Sequence, residues 1–211
     1  MLTRRLIALT AVLTLAAPLA GWAYYQQEKD KPSESPEQPS AAQMAEMMAK
    51  AAKFTQPSDH HKVLERFIGK WTHESRMFMG GQATPPEKGS AESKWMMDGR
   101  WMQSQTKGTM MGMPMQGFLV MGYDNFKMSY VGTFISSIDT AMLRFEGDLD
   151  PSGNVLILYG TLDEYLTGEH DKMVKYVWRF EGDDKIIFEI RDLPIGEKNT
   201  KVMEIVSTRV K

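Results

Sequence analysis

From Lys70 to Val210 the sequence returns to one pattern: a segment of about eight to twelve residues in which apolar side chains recur at every second position, closed by turn-forming residues. A two-residue period is the geometry of a strand, whose successive side chains leave opposite faces. Ten segments carry it: Lys70–Met79, Ser90–Met97, Arg100–Thr109, Met115–Tyr123, Lys127–Ser136, Thr140–Leu149, Asn154–Leu166, Lys172–Glu181, Lys185–Asp192 and Thr200–Val210. The clearest is Lys172–Glu181, with Val174, Tyr176, Trp178 and Phe180 on one face. Asp98-Gly99 predicts a two-residue hairpin, since both central positions of such a turn need positive φ. Asp124-Asn125, Asp150-Pro151-Ser152-Gly153 and Gly182-Asp183-Asp184 mark further tight turns. Connections this short pair successive strands antiparallel. Ten strands in a row leave two open edges, and closing the sheet into an up-and-down barrel removes both. The expected fold is therefore all-β, an antiparallel barrel of about ten strands, with a two-sheet sandwich as the alternative.

One or two short α-helices are expected before the first strand. Ser40-Ala41-Ala42-Gln43 reads as a capping box, and the Ala/Met/Lys-rich run to Phe54 favours helix, with Met44, Met47, Met48 and Ala51 along one stripe. Pro57 and Ser58 end that helix. Asp59–Ile68 reads as a second, with Val63, Leu64, Phe67 and Ile68 as its apolar face and Gly69 closing it. Further upstream, Arg4-Arg5, the apolar run Leu6–Leu19 and the small residues Gly21 and Ala23 have the layout of a cleavable signal peptide. The Lys/Glu/Ser/Pro-rich stretch Gln26–Ser40 has the composition of a tether. The expected organisation is a signal peptide over 1–23, linker and helix over 24–57, and the barrel over 58–211. Such a protein is exported, periplasmic or secreted, and meets a membrane only through its signal peptide.

Composition narrows the partners. The formal charge of −2 grows more negative by two when Arg4 and Arg5 leave, so the mature chain carries no basic footprint for nucleic acid. The absence of cysteine excludes a disulfide, a thiol nucleophile and a lipid-modified N-terminal cysteine.

Gly69-Lys70-Trp71, entering the first strand after a helix, resembles the Gly-x-Trp opening of lipocalin-like (calycin) barrels. The run Gly117-Phe118-Leu119-Val120-Met121-Gly122-Tyr123-Asp124-Asn125 is followed by Lys127 and Tyr130, and preceded by Asp98-Gly99-Arg100-Trp101 and Gly112-x-Pro114. Together these resemble a family of exported bacterial proteins known as domain of unknown function 1579, over about Asp59 to Lys211. The resemblance implies a calycin-like barrel and brings no activity or catalytic residue. A calycin relative that binds haem uses a histidine near its C-terminal strands. Here that region offers only His170, in the turn Thr167–Asp171, so the resemblance brings no cofactor.

Chemistry-bearing patterns are sparse. His61 and Glu65 share a helix face at α spacing, which fits an exposed ion pair better than a metal site. His73-Glu74 lies in a strand and lacks a second histidine. Asp148-x-Asp150-x-Ser152-Gly153 opens like a calcium loop, yet its twelfth position is Tyr159 rather than a bidentate Glu, so a hairpin turn explains it. There is no nucleophile elbow, P-loop or dinucleotide fingerprint. Met110-Met111-Gly112-Met113-Pro114-Met115 could offer soft copper ligands, but no His or Cys joins it, and a flexible apolar loop at a barrel mouth is preferred. No catalytic residue, metal ligand or cofactor is therefore assigned. The leading function is binding a small apolar ligand inside the barrel, with Trp95, Trp101, Met113, Met115, Phe118, Tyr130, Tyr176 and Trp178 as its lining. A cell-envelope enzyme with an unrecognised site and a structural or interaction module are the alternatives.

Overall fold

The computed structural model describes residues 38–165, 167–193 and 201–211. The expected signal peptide and nearly all of the tether lie outside them. The alternating segments form β1 (Gly69–Met79), β2 (Gln82–Ala83), β3 (Glu87–Met96), β4 (Trp101–Met110), β5 (Met113–Asp124) and β6 (Ser129–Ser136). They continue as β7 (Met142–Leu149), β8 (Val155–Glu164), β9 (Glu169–Phe180), β10 (Lys185–Asp192) and β11 (Lys201–Arg209). β2 is a stub of two residues against Phe78 and Met79, which the period-two pattern did not anticipate. The other ten strands pair antiparallel in chain order. β11 then pairs with β1 from Trp71↔Arg209 to Met77↔Met203, which closes the barrel and rules out the sandwich.

Two turns depart from expectation. Met96 pairs with Trp101, so the Asp98-Gly99 turn spans four residues, Met97–Arg100, and Met97, Asp98 and Gly99 all take positive φ (51°, 53° and 79°). The Met110–Met115 stretch is a tight hairpin and not a flexible loop. Met110 pairs with Met113, and only Met111-Gly112 turns, at φ 53° and 77°. The Glu87 carboxylate pins it by accepting the backbone N–H groups of Met111 (2.8 Å) and Gly112 (2.7 Å). The Asp150 turn is the hairpin expected: one carboxylate oxygen accepts from the backbone N–H of Asn154 (3.2 Å) and of Val155 (2.9 Å).

The first helix, α1 (Ala41–Thr55), begins with the expected capping box, Ser40 N–H to Gln43 Oε1 at 2.8 Å and Gln43 N–H to Ser40 Oγ at 3.3 Å. None of its residues is buried. The second helix, Asp59–Phe67, is a 3-10 helix and not an α-helix. Its buried residues are His61, Leu64 and Phe67, spaced by three, and a three-residue turn stacks them in one line against the barrel. That spacing also removes the expected His61–Glu65 face. His61 is buried, and its Nδ1 accepts the Ser58 N–H at 3.0 Å, serving as a cap.

This helix closes one end of the barrel. Leu64 and Phe67 join a core of Trp71, Met102, Met121, Tyr130, Phe145, Leu156 and Leu158. Trp71 Nε1–H donates to Phe67 O at 2.8 Å, and the Tyr130 hydroxyl donates to His60 O at 2.9 Å. The Arg209 guanidinium lies 4.2 Å from the Trp71 ring centre and donates to Arg66 O (3.0 Å) and Asp183 O (2.8 Å). The hairpins β4–β5, β6–β7 and β8–β9 gather at the opposite end.

On the outer wall, Glu189 of β10 is only 4% exposed. Arg191 holds it with two hydrogen bonds (2.9 and 3.0 Å), Lys201 lies 2.6 Å away, and Arg179 3.7 Å. Burial alone would raise the carboxyl pKa; the hydrogen bonds from Arg191 and Lys201 outweigh it and hold it at about 2.

Candidate functional site

Cross-strand partners share a face, so the register sorts the barrel wall into inner and outer residues. Starting from buried Trp71, the pairs Trp71↔Ala91, His73↔Gly89, Ser93↔Ser104, Ala91↔Thr106 and Gly89↔Gly108 are inner. So are Ser104↔Leu119, Leu119↔Phe134 and Phe134↔Leu143. Returning around the barrel, Leu156↔Trp178, Leu158↔Tyr176, Trp178↔Phe188, Phe188↔Ile205 and Ser75↔Ile205 complete that face.

Two features distinguish this inner face from a filled core. First, Leu119, Phe134, Leu143, Phe188 and Ile205 are only half-buried although they point inward. Solvent therefore reaches the inside of the barrel past the packed helix end. Second, one wall is polar and small. His73, Ser75, Ser93 and Ser104 are 8, 7, 5 and 7% exposed, with Gly89, Ala91, Thr106 and Gly108 among them. In strand order β3 and β4 stand across the barrel from β8 and β9, whose inner face is Leu156, Leu158, Tyr176 and Trp178. A polar wall thus faces an aliphatic and aromatic one.

Buried polar groups are normally hydrogen-bonded. Ser75 Oγ makes one long bond, to Glu87 O at 3.4 Å, whereas His73, Ser93 and Ser104 make no side-chain hydrogen bond to a described residue. Among the described residues, Asp192 Oδ1 is the one side-chain polar atom that lacks both a hydrogen bond and contact with solvent; its nearest cation is Lys172 at 3.2 Å. The His73 ring and the two hydroxyls are therefore touched by solvent within the barrel. The His73 ring lies across Gly89, where a Cβ would fall 2.2 Å from Nε2, so glycine there leaves the ring its place. Burial lowers the His73 pKa, which keeps the imidazole neutral near neutral pH.

The expected lining residues divide. Trp95, Met113, Met115, Tyr130, Tyr176 and Trp178 are inner by register. Trp101 and Phe118 are outer, being paired with Gly122 and Gln105 on the opposite parity. Trp101 lies over Gly122 and, with Val120, Val131, Met142 and Tyr159, lines an outer groove of about 470 Å³. Tyr130 and Tyr176 are each 1% exposed, and both hydroxyls donate to backbone carbonyls, His60 O (2.9 Å) and Thr161 O (3.0 Å). Burial pushes the Tyr130 pKa up to about 12. These two phenols are structural. Trp178 packs 4.6 Å from Phe188, which is half-buried and also stacks on Tyr176 at 6.4 Å. His170 is exposed as expected, its side chain being 86% accessible, but it is the second residue of β9 and not a turn residue.

His73, Ser75, Ser93 and Ser104 were not anticipated as a site. The signal was present: each is a polar residue on the parity that carries Trp71, Met77, Trp95 and Met102, where an apolar side chain is the rule.

No curated protein matches the chain. Among solved structures it is similar to Rv2717c from M. tuberculosis, with 11% identity and a TM-score of 0.51, over 74% of this chain and 100% of that one. That likeness concerns the fold. A weaker similarity, with 10% identity and a TM-score of 0.48, is to the S-type phycobiliprotein lyase CPES from Guillardia theta, over 76% of this chain and 96% of that one. A family profile described as "Protein of unknown function (DUF1579)" matches residues 56–209, from the segment before the 3-10 helix to the last strand of the barrel. The chain belongs to the DUF1579 family.

Proposed function

We propose that this protein binds a small, mainly apolar molecule inside its barrel and does so as an exported protein. The observation that carries the binding reading is the half-buried inner face, Leu119, Phe134, Leu143, Phe188 and Ile205, apolar surface that solvent reaches within a closed barrel. Covering such surface stabilises a complex by roughly 25 cal/mol per Å², less the cost of ordering the ligand. The test is a titration with medium-chain alkyl and small aromatic compounds, read by tryptophan fluorescence and by ligand-dependent melting. Trp178, in contact with Phe188, is the expected reporter. A saturable change and a rising melting temperature are expected. No response across the panel would leave the barrel as a structural element.

Export rests on Arg4-Arg5, the apolar run Leu6–Leu19 and the Gly21-Trp22-Ala23 boundary. Intact mass of the protein recovered from the cell envelope should show a chain starting at Tyr24. A chain still carrying Met1 would make the segment an anchor.

A further inference from the structure

The polar wall is more specific than an apolar cavity requires. Along the β3–β4 ladder the inner pairs run Gly89–Gly108, Ala91–Thr106 and Ser93–Ser104, and His73 of β1 lies over the first of them beside Ser75 and Ser207. A barrel interior that had only to fill space would carry apolar groups here; these polar atoms meet solvent within the barrel, and a ligand that displaced it without replacing its hydrogen bonds would lose about 1–3 kcal/mol per group. Three such groups, each more than nine-tenths buried and without a described partner, stand on adjacent strands.

The surrounding charges decide what could satisfy them. The charged residues that share the inner face near His73 are Glu87 on β3 and Arg209 on β11. Glu87 is spent on the amides of Met111 and Gly112, and Arg209 on the Arg66 and Asp183 carbonyls and the Trp71 ring. Farther along, Lys172 pairs with Asp192 at 3.2 Å. Among the described inner-face residues no unpaired cation is left to compensate a buried carboxylate, and no unpaired anion an amine. A neutral imidazole and serine hydroxyls can both donate and accept, which suits a hydroxyl or a carbonyl.

We propose that the inner wall of β1, β3 and β4 is a head-group site for an uncharged hydrogen-bonding group, a hydroxyl or ketone carbonyl, on an otherwise apolar ligand, with His73 as its principal partner. This rests on the barrel-interior reading above. The ligand's apolar body lies against Leu119, Phe134, Phe188 and Ile205.

The experiment compares decanol, methyl nonyl ketone, decanoate and decane by native mass spectrometry and tryptophan fluorescence, on the full mature chain and on His73→Leu and His73→Gln. Decanol and the ketone should bind about 10-fold more tightly than decane, the worth of one good buried hydrogen bond, and decanoate more weakly than decanol. His73→Leu should bring decanol down to the affinity of decane while leaving decane unchanged, and His73→Gln should restore part of the preference. Unchanged decane binding also reports that the variant is folded. Equal binding of decanol and decane, a preference that survives in His73→Leu, or tightest binding of decanoate would each overturn the head-group site while leaving the barrel as a binding cavity. Binding of none of the four would overturn both readings.

Discussion

Replacing Glu189 by Gln should destabilise the barrel strongly at neutral pH and progressively less in acid. The carboxylate is 4% exposed and faces Arg191, Lys201 and Arg179, so the variant leaves three cations around a neutral amide. Its pKa of about 2 lies below the ordinary 4.5. At 1.36 kcal/mol per unit the charged form contributes at most about 3 kcal/mol. Removing one member of such a cluster has costs of the same order. The sign follows from the direction of the shift. A depressed carboxyl pKa stabilises above the unfolded-state pKa, and that stabilisation is lost as pH falls through the folded-state value. The gap between wild type and Glu189→Gln should therefore be full at about pH 7 and more than half closed by about pH 3. Urea unfolding of both proteins across that range measures it. A gap independent of pH, or one below about 0.5 kcal/mol at neutral pH, would mean that the cluster behaves like an exposed ion pair.

Other expectations test the interior without a ligand. Ser104→Ala should be neutral or stabilise by up to about 1 kcal/mol because its hydroxyl has no partner, whereas Ser129→Ala, which removes the 2.9 Å bond to Gly147 O, should cost about 1 kcal/mol; paired urea melts decide. A Cβ at Gly132 would meet the Phe145 ring at 2.3 Å in packed core, and one at Gly117 would meet the Phe134 ring at 2.6 Å where the ring is half-buried. Gly132→Ala should thus cost more than about 2 kcal/mol and Gly117→Ala clearly less, since Phe134 has room to swing inward; equal costs would mean a filled barrel. A chain beginning at Pro57 should melt within a few degrees of one beginning at Tyr24, because α1 buries none of its residues; loss of cooperative unfolding would show otherwise.

The strands were legible because a period of two is local and strong, and the ten segments match the ten barrel strands with small shifts at their ends. Closure was less legible, since barrel and sandwich differ in one long-range pairing, Trp71–Met77 with Met203–Arg209, that no local pattern encodes. The 3-10 helix escaped because His61, a polar residue, belongs to its buried line. Residue type alone groups Trp101 and Phe118 with Trp95; parity separates them, and parity is fixed only once the four-residue turn Met97–Arg100 sets the β3–β4 register. His73 has no second histidine at metal-ligand spacing, a criterion suited to metals and blind to a neutral hydrogen-bonding wall.

The most direct test of the central claim is a methyl NMR map of the protein saturated with methyl nonyl ketone. The methyl groups of Leu119, Ile205 and Met115, on the inner face, should shift, while those of Val120, Val131 and Met142, in the outer groove, stay still. Shifts confined to Val120, Val131 and Met142 would place the ligand outside the barrel and contradict the account.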